Sequence, residues 1–471
     1  MQRILTTETS KKIGEQVKLA GWVQTRRDHG KLVFLDLRDR AGIIQIVCKN
    51  AKEIENLRPE WVVEIEGEIK ERPQEMKNPG IPTGNIEVAA ARLTVLAKSQ
   101  PLPFPIDTLG YDISEETRLK YRYLDLRRPR LQRNLKVRST YVQAAREYLF
   151  SKGFTEIETP LLTKSTPEGS RDFVVPSRIY PGKFFALPQS PQQYKQLLMA
   201  SGFERYFQIA RAIRDEDPRA DRAFEHSQVD LEMSFVSRED VMGVVEEMTV
   251  FALEKIGGKI ANKPFPVVTY QEAMEKYGAD KFDLRSEKEK KEGVLAFAWV
   301  VDFPFFEKTK EGEWTFTHNP FSSPVNEEQE QWLLEGKNVE KIVTSQYDLV
   351  CNGLEVAGGS IRTHKPEVLQ ATFRILGYTE QKIEEKFGHM LEAFRYGTPP
   401  HGGCAQGFER LLMAFLREEY LREVQAFPQT GQGRTSVMEA PSELNEEQLE
   451  ELHLKVINPP SLKLRRARKK K

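Results

Sequence analysis

The chain has 471 residues, enough for roughly two to four domains. Hydrophobic residues make up 39% and charged residues 30%, the balance of a soluble globular protein with material for a large core. Seventy basic against seventy acidic side chains leave a formal net charge of +0, so bulk electrostatics points to no nucleic-acid partner. Charge gathers locally instead. The run from Lys463 to Lys471 reads either as a disordered solubilising end or as a phosphate-binding arm. Cys48, Cys351 and Cys404 lack metal-ligand spacing and argue against a disulfide framework, which makes the cytosol the default. The seven histidines form no HExxH motif, and no stretch reaches the apolar length of a membrane span, so a cytoplasmic location and no membrane contact are expected.

Residues 1–100 read as five short strands: Val17–Val23, Leu32–Leu37, Gly42–Cys48, Trp61–Ile69 and Asn85–Leu96. That count suits a small closed barrel of the OB type. Residues 101–116, rich in proline, read as a linker, 117–456 as a second domain and 457–471 as a basic tail. In the second domain, helices are expected at Val137–Lys152, Gln192–Ser201, Arg238–Ile256, Thr269–Tyr277, Pro366–Leu376 and Glu380–Phe394. Strands are expected at Phe154–Pro160, Phe207–Ile213, Gln228–Phe235, Leu295–Phe303, Tyr347–Val356 and Gly358–Thr363, with Ser286–Gly293 a charged connector. The fold class is α+β with a mainly antiparallel sheet flanked by helices. No GxxxxGK[ST] and no strand-GxGxxG-helix unit occurs, so any ATP is not held in the parallel-sheet manner.

Five segments could carry chemistry. Ile213–Phe235 packs Arg214, Asp215, Glu216, Asp217, Arg219, Asp221 and Arg222 together, then alternates so that Gln228, Asp230 and Glu232 share one strand face. It reads as a solvated turn or as a loop for a polyphosphate and its metal. Thr166–Asp172 is a surface turn or a mobile lid presenting Glu168 to an α-ammonium group. In Leu187–Lys195, Ser190 is the expected N-cap ahead of Pro191, and Gln192 and Lys195 share a helical face. Asp348 and Glu355 lie near an expected Gly358-Gly359 turn followed by Arg362; such acids suit Mg²⁺ shared with phosphates, and the alternative is a salt-bridged hairpin. Gly402–Arg410 places glycines and Arg410 at a helix start, where a phosphate meets free N–H groups.

Together these segments, in this order, resemble the class II aminoacyl-tRNA synthetases. Gly153–Pro160 looks like motif 1, the charged loop like motif 2, and Gly407–Arg410 with its helix like motif 3. More narrowly, TRLKYRYLDLRRP, TPEGSRDF, ALPQSPQQYKQLLM, WVVDFP, YGTPPHGG and AFPQT are similar to the bacterial-type aspartyl-tRNA synthetases, over nearly the whole chain. The resemblance implies formation of aspartyl-adenylate from L-aspartate and ATP with Mg²⁺, then aspartyl transfer to tRNA(Asp), by a homodimer.

It also implies roles. Arg214 would meet the α-phosphate and Arg410 the γ-phosphate end. Glu216, His226, Gln228, Gly407, Phe408 and Glu409 would complete the ATP site, and Asp348 and Glu355 would hold Mg²⁺. Lys195 and Arg362 would grip the substrate side-chain carboxylate, with Asp230 orienting them. Glu168, Ser190, Gln192 and His318 would surround the α-ammonium and α-carboxylate. In the barrel, Phe34 would stack on an anticodon base while Arg27, His29, Gln45 and Glu87 read the anticodon; the alternative for Phe34 is a core aromatic.

The chain departs from the family in four places. The large insertion expected between Tyr277–Arg285 and Trp299–Pro304 is absent near 286–295. His226 stands where a stacking phenylalanine is usual, Asn319 follows His318 where the family pairs two histidines, and Glu409 stands for Asp. His29 follows Asp28, a choice associated with members that also charge tRNA(Asn); neutral loop variation is the alternative. An asparaginyl- or lysyl-tRNA synthetase shares this layout, but TPEGSRD, QSPQ and Lys195 argue against both. A non-catalytic tRNA-binding paralogue is disfavoured by Arg214, Glu355, Arg362 and Arg410.

Overall fold

The computed structural model describes residues 1–30, 32–49, 54–165 and 169–457. Expectations for Glu168 and for the basic tail therefore lie outside the described residues. The chain divides into two compact units, Met1–Pro105 and Ile106–Lys471.

The first unit is a closed barrel of β1 (Gln16–His29), β2 (Leu32–Arg38), β3 (Ile43–Cys48), β4 (Val62–Glu71) and β5 (Ile86–Ala97), in the order β1-β2-β3-β5-β4. Alternation in β1, β2 and β4 builds it. Val33, Leu35 and Leu37 point inward with Val63, Ile65, Ile44 and Ile46, while Phe34 and Asp36 point outward. The observed β1 runs six residues past its expected end, because it pairs with β2 out to His29↔Leu32.

The second unit holds β6 (Thr155–Glu156), a ribbon of β7 (Val174–Pro176) and β8 (Phe184–Ala186), then β9 (Arg205–Ile213), β10 (Glu225–Ser234), β11 (Val267–Thr269) and β12 (Phe297–Val301). A second ribbon of β13 (Phe306–Lys308) and β14 (Trp314–Phe316) precedes β15 (Gln346–Cys351), β16 (Leu354–Ile361) and β17 (His401–Gln406). Eight strands make one sheet in the order β11-β12-β15-β16-β17-β10-β9-β6. The six central strands pair antiparallel, and only the edge pairs β11–β12 and β6–β9 are parallel. The helices Pro129–Ser151, Arg238–Lys255 and Phe408–Leu416 supply core residues with one face of this sheet, with Tyr141, Leu149, Val245 and Leu411 fully buried there. The other face carries the polar residues described below.

Several local expectations are corrected. The helix expected from Val137 starts at Pro129, eight residues early, since proline costs nothing at the first helical position. Pro191, not Ser190, is the cap of Gln192–Ala200, although Ser190 Oγ still accepts from Gln192 N at 3.3 Å. The turn between β15 and β16 is Asn352-Gly353, where both residues have positive φ. Gly358-Gly359 instead lies mid-strand, because a Cβ on Gly359 would sit 2.2 Å from the Gly403 carbonyl oxygen. The connector is a short helix, Glu287–Glu292, with a capping box between Ser286 and Glu289.

Candidate active site

Cross-strand register explains why a cavity exists on the polar face. Asp230 lies opposite Ala405, which lies opposite Gly358, which lies opposite Asp348. One step along, Glu232, Gly403, Ser360 and Gln346 align in the same way. Acidic and amide groups thus stand at both ends of a floor made of glycine, alanine and serine. The floor cannot be filled in: a Cβ on Gly403 would lie 2.0 Å from Glu232 Oε2 and 2.2 Å from the Leu231 carbonyl oxygen. The resulting cavity of about 270 Å³ is lined by most of the side chains singled out from the sequence.

At one end two cations meet two carboxylates. Lys195 Nζ lies 3.0 Å from Asp230 Oδ2 and 3.3 Å from Glu232 Oε2. Arg362 donates Nε to Glu232 Oε1 at 2.9 Å, and also bonds Ser360 Oγ (2.7 Å) and the Gly403 carbonyl (3.1 Å). Burial pushes Glu232 up, but Arg362 and Lys195 prevail and hold its carboxyl below the usual range. For Asp230 burial prevails, and its carboxyl is raised. Its Oδ1 is buried and has no hydrogen-bond partner among the described residues. Ser190 and Gln192 line the same cavity.

Away from this set the cavity lining is rich in arginine, with Arg214, Arg222 and Arg410. Arg214, at the exit of β9, donates Nε to the Gln189 carbonyl at 3.2 Å. Arg410 lies in the first turn of the helix Phe408–Leu416; it donates Nε to the Asp221 carbonyl and a terminal N–H to the Glu355 carbonyl, both at 3.2 Å. It therefore ties the charged loop to the β15–β16 hairpin. Glu216 accepts from Ser170 Oγ and from Arg222 at 3.3 Å. Burial, reinforced by Arg214, Arg410 and Arg211, pushes the His226 imidazole down to about 3, so it is neutral near pH 7. Phe224 does not reach the cavity and packs edge-on against Phe173, at 5.2 Å between centroids.

Asp348 and Glu355 come together through a one-residue register shift between Leu349 and Val350, which sets Glu355 opposite Val350 and so on the Asp348 face. His318 Nε2 lies 3.1 Å from Asp348 Oδ2, and Gln346 donates to Asp348 Oδ1 at 2.7 Å. Asn319, which the sequence offered only as a departure, donates to Gln346 Oε1 at 3.2 Å. Burial raises Asp348, whereas Glu355 is held low because Lys281 and Arg410 outweigh its burial.

Phe408 is corrected. Its side chain is fully buried, 6.0 Å from Tyr141 and under the Arg138 guanidinium, because the residue after the Gly407 cap turns into the core. Glu409 does line the cavity, held by Arg138 and by Gln425 at 2.7 Å. Glu232, Asn319, Gln346 and Lys281 join these residues although the resemblance assigns them no role. For Glu232 a signal existed, its place two residues after Asp230 on one strand face.

On the barrel, Arg27 pairs across strands with Phe34, Asp36 with Gln45, and Gln45 with Glu87, so all five share the outer surface. Arg27 makes a two-point pair with Asp36 (2.6 and 2.8 Å), and Gln45 donates to Glu87 at 2.8 Å. Phe34 is half-buried and outward-facing, not a core aromatic; the exposed His29 meets it edge-on at 5.4 Å.

A barrel with a polar, aromatic-bearing face and an antiparallel sheet holding arginines and carboxylates over a small-residue floor define a class of tRNA ligases. The family model described as "tRNA synthetases class II (D, K and N)" matches residues 114–431, and that of an OB-fold nucleic acid binding domain matches 17–96. The chain belongs to the class II tRNA synthetases of this group. It is 41% identical to an aspartate–tRNA(Asp/Asn) ligase of Rubrobacter xylanophilus, covering 95% of this chain and 96% of that one, and 40% identical to one of Caldanaerobacter subterraneus over 95% and 96%. The first of these alignments spans 578 positions, about 130 more than 95% of 471 residues, so that relative carries a comparable length opposite gaps in this chain. Among solved structures, asparaginyl-tRNA synthetase from Pyrococcus horikoshii with asparaginyl-adenylate matches with a TM-score of 0.73 at 25% identity, covering 91% of this chain and 98% of that one.

Proposed function

We propose that the chain is an aspartate–tRNA ligase that activates L-aspartate with ATP and charges tRNA(Asp), and tRNA(Asn) as well. The observation that carries the amino-acid assignment is the buried set of Lys195, Arg362, Asp230 and Glu232 at one end of the cavity. A substrate side-chain carboxylate completes the coordination of the two cations. An amide would turn its NH2 group towards the N–H donors of Lys195 and Arg362, donor against donor in a dry site, so asparagine is rejected. Oδ1 of Asp230 offers an acceptor to the α-ammonium.

In the first step an α-carboxylate oxygen attacks the α-phosphorus, the bond to the bridging oxygen breaks, and diphosphate leaves. Arg214 and Arg410 offset the charge of the phosphates, and His226 lies against the base as a neutral ring. In the second step a hydroxyl of the terminal tRNA ribose attacks the acyl carbon and AMP leaves. No side chain forms a covalent intermediate, so catalysis is positioning and charge stabilisation. Asp348 and Glu355 supply hard oxygen donors beside a Gly358 whose Cβ would crowd Asp348 Oδ1 at 3.0 Å, and two carboxylates suit an Mg²⁺ that keeps water and phosphate ligands. That ion would draw charge from the phosphates.

The outer barrel face around Phe34 reads the anticodon, residues 101–116 link it to a catalytic domain of 117–456, and the active form is a cytoplasmic homodimer. Among the described residues no helix is long and apolar enough to cross a membrane. The names of the two bacterial relatives, and His29 on the barrel face, favour charging of both tRNAs. Diphosphate exchange with each amino acid tests the first claim; exchange with asparagine alone overturns it. Aspartylation of the two purified tRNAs tests the second, and no charging of tRNA(Asn) overturns that part only.

A further inference from the structure

The segment that leads into the short connector delivers a cation to the two-carboxylate end of the cavity. The helix Tyr270–Tyr277 closes at Gly278, and Ala279, Asp280 and Lys281 follow. Immediately afterwards the chain is pinned. Phe282 is buried, stacks on Tyr277 with centroids 4.2 Å apart, and its carbonyl accepts from Gly353 N at 3.0 Å, in the turn between β15 and β16. Arg285 and Asp283 clasp each other at 2.9 and 2.8 Å. From this anchored loop the Lys281 ammonium reaches Glu355, 2.7 Å from Oε2.

The Lys281 and Glu355 side chains are 40% and 30% exposed, and ion pairs in that range contribute little to stability. The consequence of this pair is local charge. Without Lys281, Glu355 and Asp348 face one cavity, with His318 and Arg410 among the described residues that offset them. With it, one carboxylate already holds a tethered counter-ion.

We infer that Lys281 is a positioning residue of the nucleotide site, a tethered cation that competes with the divalent ion for Glu355 and so disfavours metal binding ahead of ATP. This rests on the reading of Asp348 and Glu355 as the Mg²⁺ ligands. The divalent ion must displace the ammonium from Glu355, and the phosphates it arrives with provide the compensating negative charge. An arginine at 281 keeps the counter-ion; a neutral side chain does not.

The test is Mn²⁺ binding to the full-length protein without ATP, followed by electron paramagnetic resonance, for the unaltered chain and for Lys281→Met, Lys281→Gln, Lys281→Arg, Glu355→Gln and Asp348→Asn. Removing one like charge from beside a divalent ion tightens its binding by about five- to tenfold in Lys281→Met and Lys281→Gln. Lys281→Arg stays near the unaltered value, and the Mg²⁺ concentration needed for half-maximal diphosphate exchange falls in the two neutral variants. Unchanged or weaker Mn²⁺ binding in both neutral variants, while Glu355→Gln and Asp348→Asn lose it, overturns the role of Lys281 and leaves the metal reading intact. Mn²⁺ binding that Glu355→Gln and Asp348→Asn do not weaken overturns both.

Discussion

Arg362 and Glu232 meet through two contacts, 2.9 Å from Nε to Oε1 and 3.3 Å from a terminal nitrogen to Oε2, with both side chains almost wholly buried. Lys195 closes on the same carboxylate at 3.3 Å. The end of the cavity that holds Lys195 and Arg362 is therefore not a bare positive patch. It is a neutralised set of two cations and two acids, whose geometry is held before any substrate arrives.

Breaking that set leaves a buried charge alone. Glu232→Ala is expected to destabilise the protein by about 3–5 kcal/mol, the cost of stranding one member of a buried ion pair. Glu232→Gln keeps the shape and part of the hydrogen bonding and should cost less, while raising the KM for aspartate. Urea unfolding and aspartate-dependent diphosphate exchange separate the two effects.

Arg410 binds the Asp221 and Glu355 carbonyls at once, so it both shapes the arginine-rich part of the cavity and presents charge to it. Arg410→Ala and Arg214→Ala are each expected to lower diphosphate exchange by about 10²- to 10³-fold, as for removal of one preorganised donor. Circular dichroism should remain that of the unaltered chain.

His226 gives a pH prediction. Its imidazole is pushed from 6.5 to about 3, so between those values the unfolded chain takes up a proton that the folded chain refuses. Stability from this group is fully present above pH 6.5 and is lost as pH falls towards 3, with a slope of at most about 1.4 kcal/mol per pH unit. In His226→Phe that contribution disappears. Comparing the stability difference between the two proteins at pH 4.5 and pH 7 checks it; a constant difference contradicts it. His226→Phe should also keep ATP binding, since a neutral ring is replaced by a neutral ring.

Phe34 is half-buried on the outer barrel face, with His29 against its edge. Phe34→Ala should weaken tRNA binding by about 1–3 kcal/mol, the value of one base stacked on an aromatic ring. Diphosphate exchange, proposed for residues of the second unit, should be unchanged.

The sequence by itself determined the barrel strands, most strands of the main sheet and its long helices, but not the short ribbons β7–β8 and β13–β14 or the connector helix. Alternation in Leu32–Arg38 is enough to place Val33, Leu35 and Leu37 inside and Phe34 outside, and the 2-residue period puts Gln228, Asp230 and Glu232 on one face. Motif order marks Lys195, Arg214, Arg362 and Arg410 whatever the distances between them. Only the tertiary structure decided which charges meet. The pairing of Glu232 with Arg362 depends on strands β10, β17 and β16 lying side by side, residues 130 apart in sequence. The shared face of Asp348 and Glu355 depends on a one-residue register shift, which leaves no mark in the hydrophobic pattern. Gly358-Gly359 reads as a turn in one dimension; in three it is a stretch of strand kept bare so that its neighbours can approach, and so that a cavity remains above it.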